Sequence, residues 1–413
     1  MARVLYVVPN VPWPLATGGH LRDWQLLNLL ARRGLRPAVL YFGAGEDALL
    51  APDSPVAALA SSVAFGGARI EDPDGGALGT VARKLSYLVG TGDTHPFAYQ
   101  YDAIDAPAAI VREARRVNAS VVVLRGFWCH AFGALKAAGL RVIANCPDSN
   151  TRLAREMIRS VDGPTARVGP ACNLVQVRRL ERRHLGTADE IWAPTAAERD
   201  EIAALAPGPR ILVVPNLVDV AATPDRSRED GDGETLLFVA NFSYAPNANA
   251  ARRLIERVFP LVRRTRPSAR LCLVGGGMAP GLRAAVANAP GVEAPGFVDD
   301  LEPWYRRAAT VLLPVREGAG MLFKTVEALA RGLATIGFPE AYRGIDADPE
   351  SAFLTAPDEP AMARAASGLL AEPSARRMLG TRARALAERT LSFEHGQRLL
   401  DGSVLATLLA SPE

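Results

Sequence analysis

The strongest constraint on this chain is its rhythm: short, continuous apolar runs alternate with stretches of helical periodicity almost from end to end. Runs such as VLYVV at 4–8 and VVVL at 121–124 show no polar alternation. A strand apolar on both sides must be covered on both faces, and parallel strands need long crossovers; the amphipathic stretches supply both. The expected strands are 4–8, 37–41, 121–124, 141–144, 190–193 and 211–214, then 235–239, 270–274, 292–294, 310–314 and 334–337. Residues 45–100, rich in Gly and Asp, are expected to form loops with one helix near 81–89.

A chain of 413 residues exceeds what one hydrophobic core usually organises, and the rhythm breaks once, at the polar, Gly-bearing stretch TPDRSREDGDGE. The expected fold is therefore α/β: two Rossmann-like, doubly wound domains facing a central cleft. They span 1–218 and 235–390, joined by a linker at 219–234. In doubly wound domains ligands bind at the carboxyl ends of the strands, so both binding edges should point toward that cleft.

Charge excludes one class of partner. The formal net charge is only +3 and no polybasic tract interleaves with aromatics, so no nucleic acid is expected. Cys129, Cys146, Cys172 and Cys272 show no CxxC spacing and imply reduced core residues of a cytoplasmic protein, with no metal. The apolar run before Pro9 is too short for a signal peptide and no run approaches the roughly 20 residues that span a bilayer. Lysine is scarce: Lys84, Lys136 and Lys324 stand against 44 arginines, so a lysine inside a motif is a marked choice.

That lysine lies in TVLLPVREGAGMLFKTVEALARGLATIG, residues 310–337. The stretch implies a strand, a Gly-x-Gly loop at Gly318 and Gly320, a helix starting near Met321, and another strand. Glycines let the backbone approach a ligand, and the N–H groups around Gly320, Met321 and Leu322 would suit a pyrophosphate. Lys324 and Glu327, three apart, share a helix face: a cation near phosphates and a carboxylate for ribose hydroxyls, or a plain salt-bridged surface.

The block resembles the donor-binding motif of family-4-type retaining glycosyltransferases with the GT-B fold, of the form G-x-G-x-x-x-K-x-x-E-A-x-A-x-G. Gly318, Gly320, Lys324, Glu327, Ala328, Ala330 and Gly332 match it. FVANFSYAPNANA (238–250, with Asn241) resembles the opening strand and loop of the same domain, and LVGGGMAP (273–280, with Gly275) its Gly-rich second loop. GFVDDLEPWYRRA (296–308) is similar to the segment whose backbone reads the base, at Phe297 and Val298. More weakly, 9–34 resembles the opening loop, in which a Gly-Gly pair, here Gly18 and Gly19, nears the donor phosphates. NCPDSNTRLAR (145–155) resembles the segment carrying an acidic residue after a strand, here Asp148.

The resemblance implies a nucleoside diphosphate sugar, UDP-linked, as co-substrate, no other cofactor, retention of configuration and no metal. It assigns Glu327 to the ribose, places the acceptor on the first domain, and has 391–413 pack back onto that domain. Three features depart from it. The position of the family's first glutamate is Ala319, with Glu317 two residues earlier. The basic pair of the second domain is missing from NFSYAPN, leaving Arg316 or Lys324 to supply charge. Pro147 stands where a histidine is common. His130, in FWCHAF, is either a contact for the transferred sugar or a packed helix-start residue. His20 is open in the same way, while His95, His184 and His395 are expected on the surface or in packing. The cluster RRLERRH at 178–184 is expected as a solvated helix face, with docking to an anionic membrane or lipid-linked acceptor as the alternative. Two rival functions are a non-catalytic nucleotide-sugar-binding partner and a UDP-sugar epimerase of the same fold.

Overall fold

The computed structural model describes residues 4–10, 17–43, 55–68, 77–90, 95–98, 105–146, 149–159, 161, 163–318, 320–348 and 351–406. The chain forms two compact units, Met1–Pro215 with Gly396–Glu413, and Asn216–His395.

The first unit is built on seven parallel strands, β1 (Val4–Val8), β2 (Ala38–Gly43), β3 (Ser62–Ala68), β4 (Val121–Arg125), β5 (Arg141–Asn145), β6 (Glu190–Ala193) and β7 (Arg210–Val213). Their order is β3-β2-β1-β4-β5-β6-β7, so the winding reverses between β1 and β4. β1, β2 and β4 are buried at every residue, as a sheet covered on both faces requires. β3 falls inside 45–100, where loops and one helix were expected; its sequence SVAFGGA, with two glycines, carries little strand signal. The expected helix runs Ala77–Val89, and a short helix that was not expected runs Pro55–Leu59. His95, expected on the surface or in packing, is fully buried against Phe97 and Phe127, and burial lowers its pKa to about 3. Residues 396–406 pack into this unit: buried Glu190 accepts from Trp192 Nε1 at 2.7 Å, Ser403 Oγ at 2.5 Å and the Val404 N–H at 3.0 Å.

The second unit contains β8 (Thr235–Val239), β9 (Arg270–Val274), β10 (Val292–Gly296), β11 (Thr310–Leu313), β12 (Thr335–Gly337) and β13 (Leu354–Thr355). They form one parallel sheet ordered β10-β9-β8-β11-β12-β13, reversing between β8 and β11. Side chains alternate between two cores. Leu236, Phe238, Leu271, Leu273, Leu312 and Ile336 fill one face, while Leu237, Cys272, Val274, Val311 and Leu313 fill the other.

The polar stretch at 219–234 is anchored in this unit. The Arg226 N–H donates to the Arg331 carbonyl at 2.8 Å and its guanidinium to Glu302 at 2.7 Å. Ser227 sits where a Cβ on Gly332 would come within 2.7 Å of its own. Asp232 accepts from the Thr235 N–H and from Arg307. The charges that resemble a solvated linker are partners for this unit's helices. All four cysteines are buried and none forms a disulfide. Among the described residues, no helix is long and apolar enough to cross a membrane.

Candidate functional site

The second unit brings most of the expected residues to the carboxyl ends of β8, β9, β10 and β11, around the reversal of winding. Backbone bonds lace the first three loops together. The Ala240 N–H donates to Val274, Phe242 to Gly276, and Gly275 to Gly296, at 2.8–2.9 Å. Gly275 has φ +136°, and a Cβ there would lie 1.9 Å from the Ala240 carbonyl oxygen, so no side chain fits. Gly277, at φ +80°, meets Ser243 and Asn241 in the same way. Between the β9 and β10 loops lies a cavity of about 450 Å³, lined by Gly275, Gly276, Gly277, Ala294, Phe297 and Arg283. Phe297 is 73% exposed at its edge, while the side chain of Val298 turns into the core behind it.

Across β8, the strand β11 runs into the loop 314–322 and then the helix Phe323–Ala330. The helix begins two residues later than the expected start near Met321. Its N-cap is Leu322, whose backbone is extended and which offers no capping side chain. The first-turn N–H groups are therefore those of Phe323 to Thr325, with Gly320, Met321 and Leu322 in the approach. Gly318 and Gly320 take φ of +109° and +72°, which the loop requires. Met321 is buried, and its carbonyl accepts from Asn216 Nδ2 at 2.8 Å.

Lys324 and Glu327 are not paired as a surface salt bridge. Lys324 Nζ donates to Asn247 Oδ1 at 2.6 Å and lies 4.7 Å from the centre of the Phe238 ring. Burial lowers its pKa to about 7, partly offset by Glu327. Asn247 Nδ2 in turn donates to the Asn241 carbonyl at 2.8 Å, tying the lysine to the β8 loop. Glu327 Oε2 accepts from Tyr305 Oη at 3.2 Å. Burial holds its carboxyl above the usual range, against the pull of Arg331, the tyrosine hydroxyl and Lys324. Burial opposes the charge of both groups, and an anionic ligand beside Lys324 would restore the charge of the lysine.

Of the two candidates for the missing basic charge, Arg316 is committed elsewhere: its guanidinium stacks 3.8 Å over Phe338 and donates to the Pro357 carbonyl at 2.9 Å. Lys324 is the cation that faces the β8 loop. Glu317 pairs with Arg253 at 3.3 Å, and Arg253 also donates to the Pro314 carbonyl at 2.8 Å. Asn216, Asn247, Arg253 and Tyr305 were not anticipated, because each acts through a partner distant in sequence, and Arg283 was not anticipated either. Arg283, at the cavity and donating to the Met278 carbonyl, is the one that a search for stray cations near the Gly-rich loop would have flagged.

In the first unit, Thr17 caps the helix Gly18–Arg32 by accepting the His20 N–H at 3.2 Å, which sets Gly18 and Gly19 in its first turn. Arg125, the charged end of β4, donates to the Gly19 carbonyl at 3.0 Å and to Asp23 at 2.7 Å. Asp23 also accepts from Tyr6, so a buried polar network underlies the glycine pair. His130 lies in the turn Gly126–Ala131 after β4 and, second to burial, disfavours protonation of His95. Asp148 and Ala319 fall outside the described residues. Among the described residues, no group of three or more His, Cys, Asp or Glu could hold a metal ion.

Residues 233–372 match the family model described as Glycosyl transferases group 1. No curated protein matches the sequence significantly. Solved structures match over the whole chain. HepE of Anabaena, in complex with UDP and glucose, is 12% identical, covers 100% of both chains and has a TM-score of 0.65. Sucrose-phosphate synthase of Thermosynechococcus elongatus is 16% identical over 99% of both chains, at 0.69. A glycosyltransferase of Rickettsia africae is 10% identical over 99% of both, at 0.64. The fold of the two sheets and their flanking helices is GT-B.

Proposed function

We propose, for a GT-B chain whose second unit matches the group 1 glycosyltransferase model over residues 233–372, that it moves a sugar from a UDP-linked donor to an acceptor hydroxyl. The observation that carries this reading is the turn from β11 through Gly318 and Gly320 into the helix with Lys324 and Glu327. HepE, a structural neighbour, was solved with UDP and with UDP-glucose. In the proposed complex Glu327 accepts from the ribose hydroxyls, and its burial makes those bonds worth forming. The base takes the cavity beside Phe297, a flat apolar edge over a glycine floor. The diphosphate lies at the first turn of the helix Phe323–Ala330, beside Lys324.

Negative charge grows on the departing diphosphate as the glycosidic bond breaks. A cation and oriented N–H groups already in place stabilise that charge without reorganising. Retention of configuration and independence of metal belong to the same proposal, as do an acceptor held by the first unit, donor phosphates near Gly18 and Gly19, and a contact of His130 with the transferred sugar. The test is UDP release from a panel of UDP-sugars, with and without candidate acceptors. Turnover with one donor, reduced in Glu327→Ala chiefly through a raised KM for that donor, supports the reading. Tight UDP binding with no release from any donor would favour a binding-only partner instead.

A further inference from the structure

The helix Ala77–Val89 leaves a row of large apolar side chains uncovered. Leu78, Val81, Leu85, Leu88 and Val89 are 54–88% exposed. Their spacing of three, four, three and one places them on a single side of the helix, within about a third of its circumference. The opposite side carries Tyr87, which is fully buried. A surface helix ordinarily turns such a stripe toward its own core; here the stripe faces out.

The neighbouring helix Pro164–His184 extends the surface. Lys84 bonds Asn173, and Arg179 bonds the Gly90 carbonyl, so the two helices are fastened together. Val168 and Val175 are 58% and 47% exposed. Seven residues further on, at the same spacing, comes exposed Arg182, with Arg183 beside it. This helix holds Arg167, Arg178, Arg179, Arg182 and Arg183 against one acid, Glu181, which is buried. The helix Ala77–Val89 adds Arg83 and Lys84 and no acid.

We infer that this two-helix face docks on an anionic lipid surface, with the leucine and valine row entering the headgroup boundary and the arginines meeting lipid phosphates. Stable attachment to a membrane takes two signals, such as a buried apolar area and a basic patch, and the face supplies both side by side. A second protein copy would meet the same excess of arginines on its own face, and like charges oppose that pairing.

The test mixes the full-length protein with vesicles of phosphatidylcholine, or of phosphatidylcholine with phosphatidylglycerol, and pellets them. Protein should pellet with the anionic vesicles only and be released as salt rises. Leu85→Asp with Leu88→Asp, and separately Arg182→Glu with Arg183→Glu, should each weaken binding by roughly tenfold or more. Because all four positions are exposed, circular dichroism melts should stay close to the parent's. Protein that remains in solution with both vesicle types overturns the inference, as does wild-type-like pelleting by either folded double variant. A parent that is dimeric by light scattering, made monomeric by the leucine variant with no vesicle binding in either, assigns the face to a second copy and overturns it too.

Discussion

At the residue scale, Lys324 and Glu327 are poised by desolvation. Glu327→Ala should weaken UDP binding by about 1–3 kcal/mol, the loss of charged hydrogen bonds to a diol, as read by titration calorimetry. Unchanged affinity in a folded variant would move the ribose contact elsewhere. Lys324 gives a pH signature. With a folded pKa of about 7 it is charged below that value and increasingly neutral above it. UDP affinity should therefore fall as pH rises through about 7, with proton uptake on binding near that pH. Lys324→Met should remove the dependence and lower kcat more than affinity. The stability linkage has the opposite direction. The folded pKa is depressed from its ordinary value of 10.5, so the unfolded chain holds more protons between about 7 and 10.5, and this group's contribution to stability rises with pH there. The motif that carries both residues was legible in sequence, because its seven matching positions are local. The side chains that set their electrostatics were not. Asn247 lies 77 residues from Lys324 and Tyr305 lies 22 from Glu327, and only folding brings them together.

At the scale of elements, the strands were legible where apolar residues run without interruption. β1, β6, β8 and β9 begin and end where the sequence implies, since a buried parallel strand has no polar face to obscure it. β3 carries two glycines, and β13 is two residues long, too short to show a period. The loops at the ends of the strands depend on glycine to different degrees, and this is testable. Gly275 and Gly296 both have positive φ, +136° and +86°, but a Cβ meets the Ala240 carbonyl at the first and nothing within 4 Å at the second. Gly296→Ala should cost about 1–2 kcal/mol of backbone strain. Gly275→Ala should cost clearly more and deform the cavity, reducing nucleotide affinity as well as the denaturation midpoint. Equal effects of the two substitutions would mean that strain, not close approach, fixes Gly275.

At the scale of the molecule, two doubly wound sheets were expected, because the rhythm restarts after one polar break. The break itself did not announce that Arg226, Asp230 and Asp232 would find partners within the second unit. The first unit is assembled from two pieces of chain, and the second, Asn216–His395, lies wholly between them in sequence. The carboxylate of Glu190 depends on this arrangement, since two of its three donors come from Ser403 and Val404. Ser403→Ala, which removes one donor to a fully buried carboxylate, should lower stability by about 1–3 kcal/mol in urea melts. A variant as stable as the parent would show that water or another group takes the hydroxyl's place. The same arrangement sets an order of completion during synthesis. A ribosome delivers the sheet of the first unit, then all of the second, and only afterwards the segment that satisfies Glu190. The half made first is thus the half finished last, and through that interval its strand β6 carries a buried acid short of two hydrogen bonds, a state open to chaperones and proteases that the inserted half, once complete, does not share.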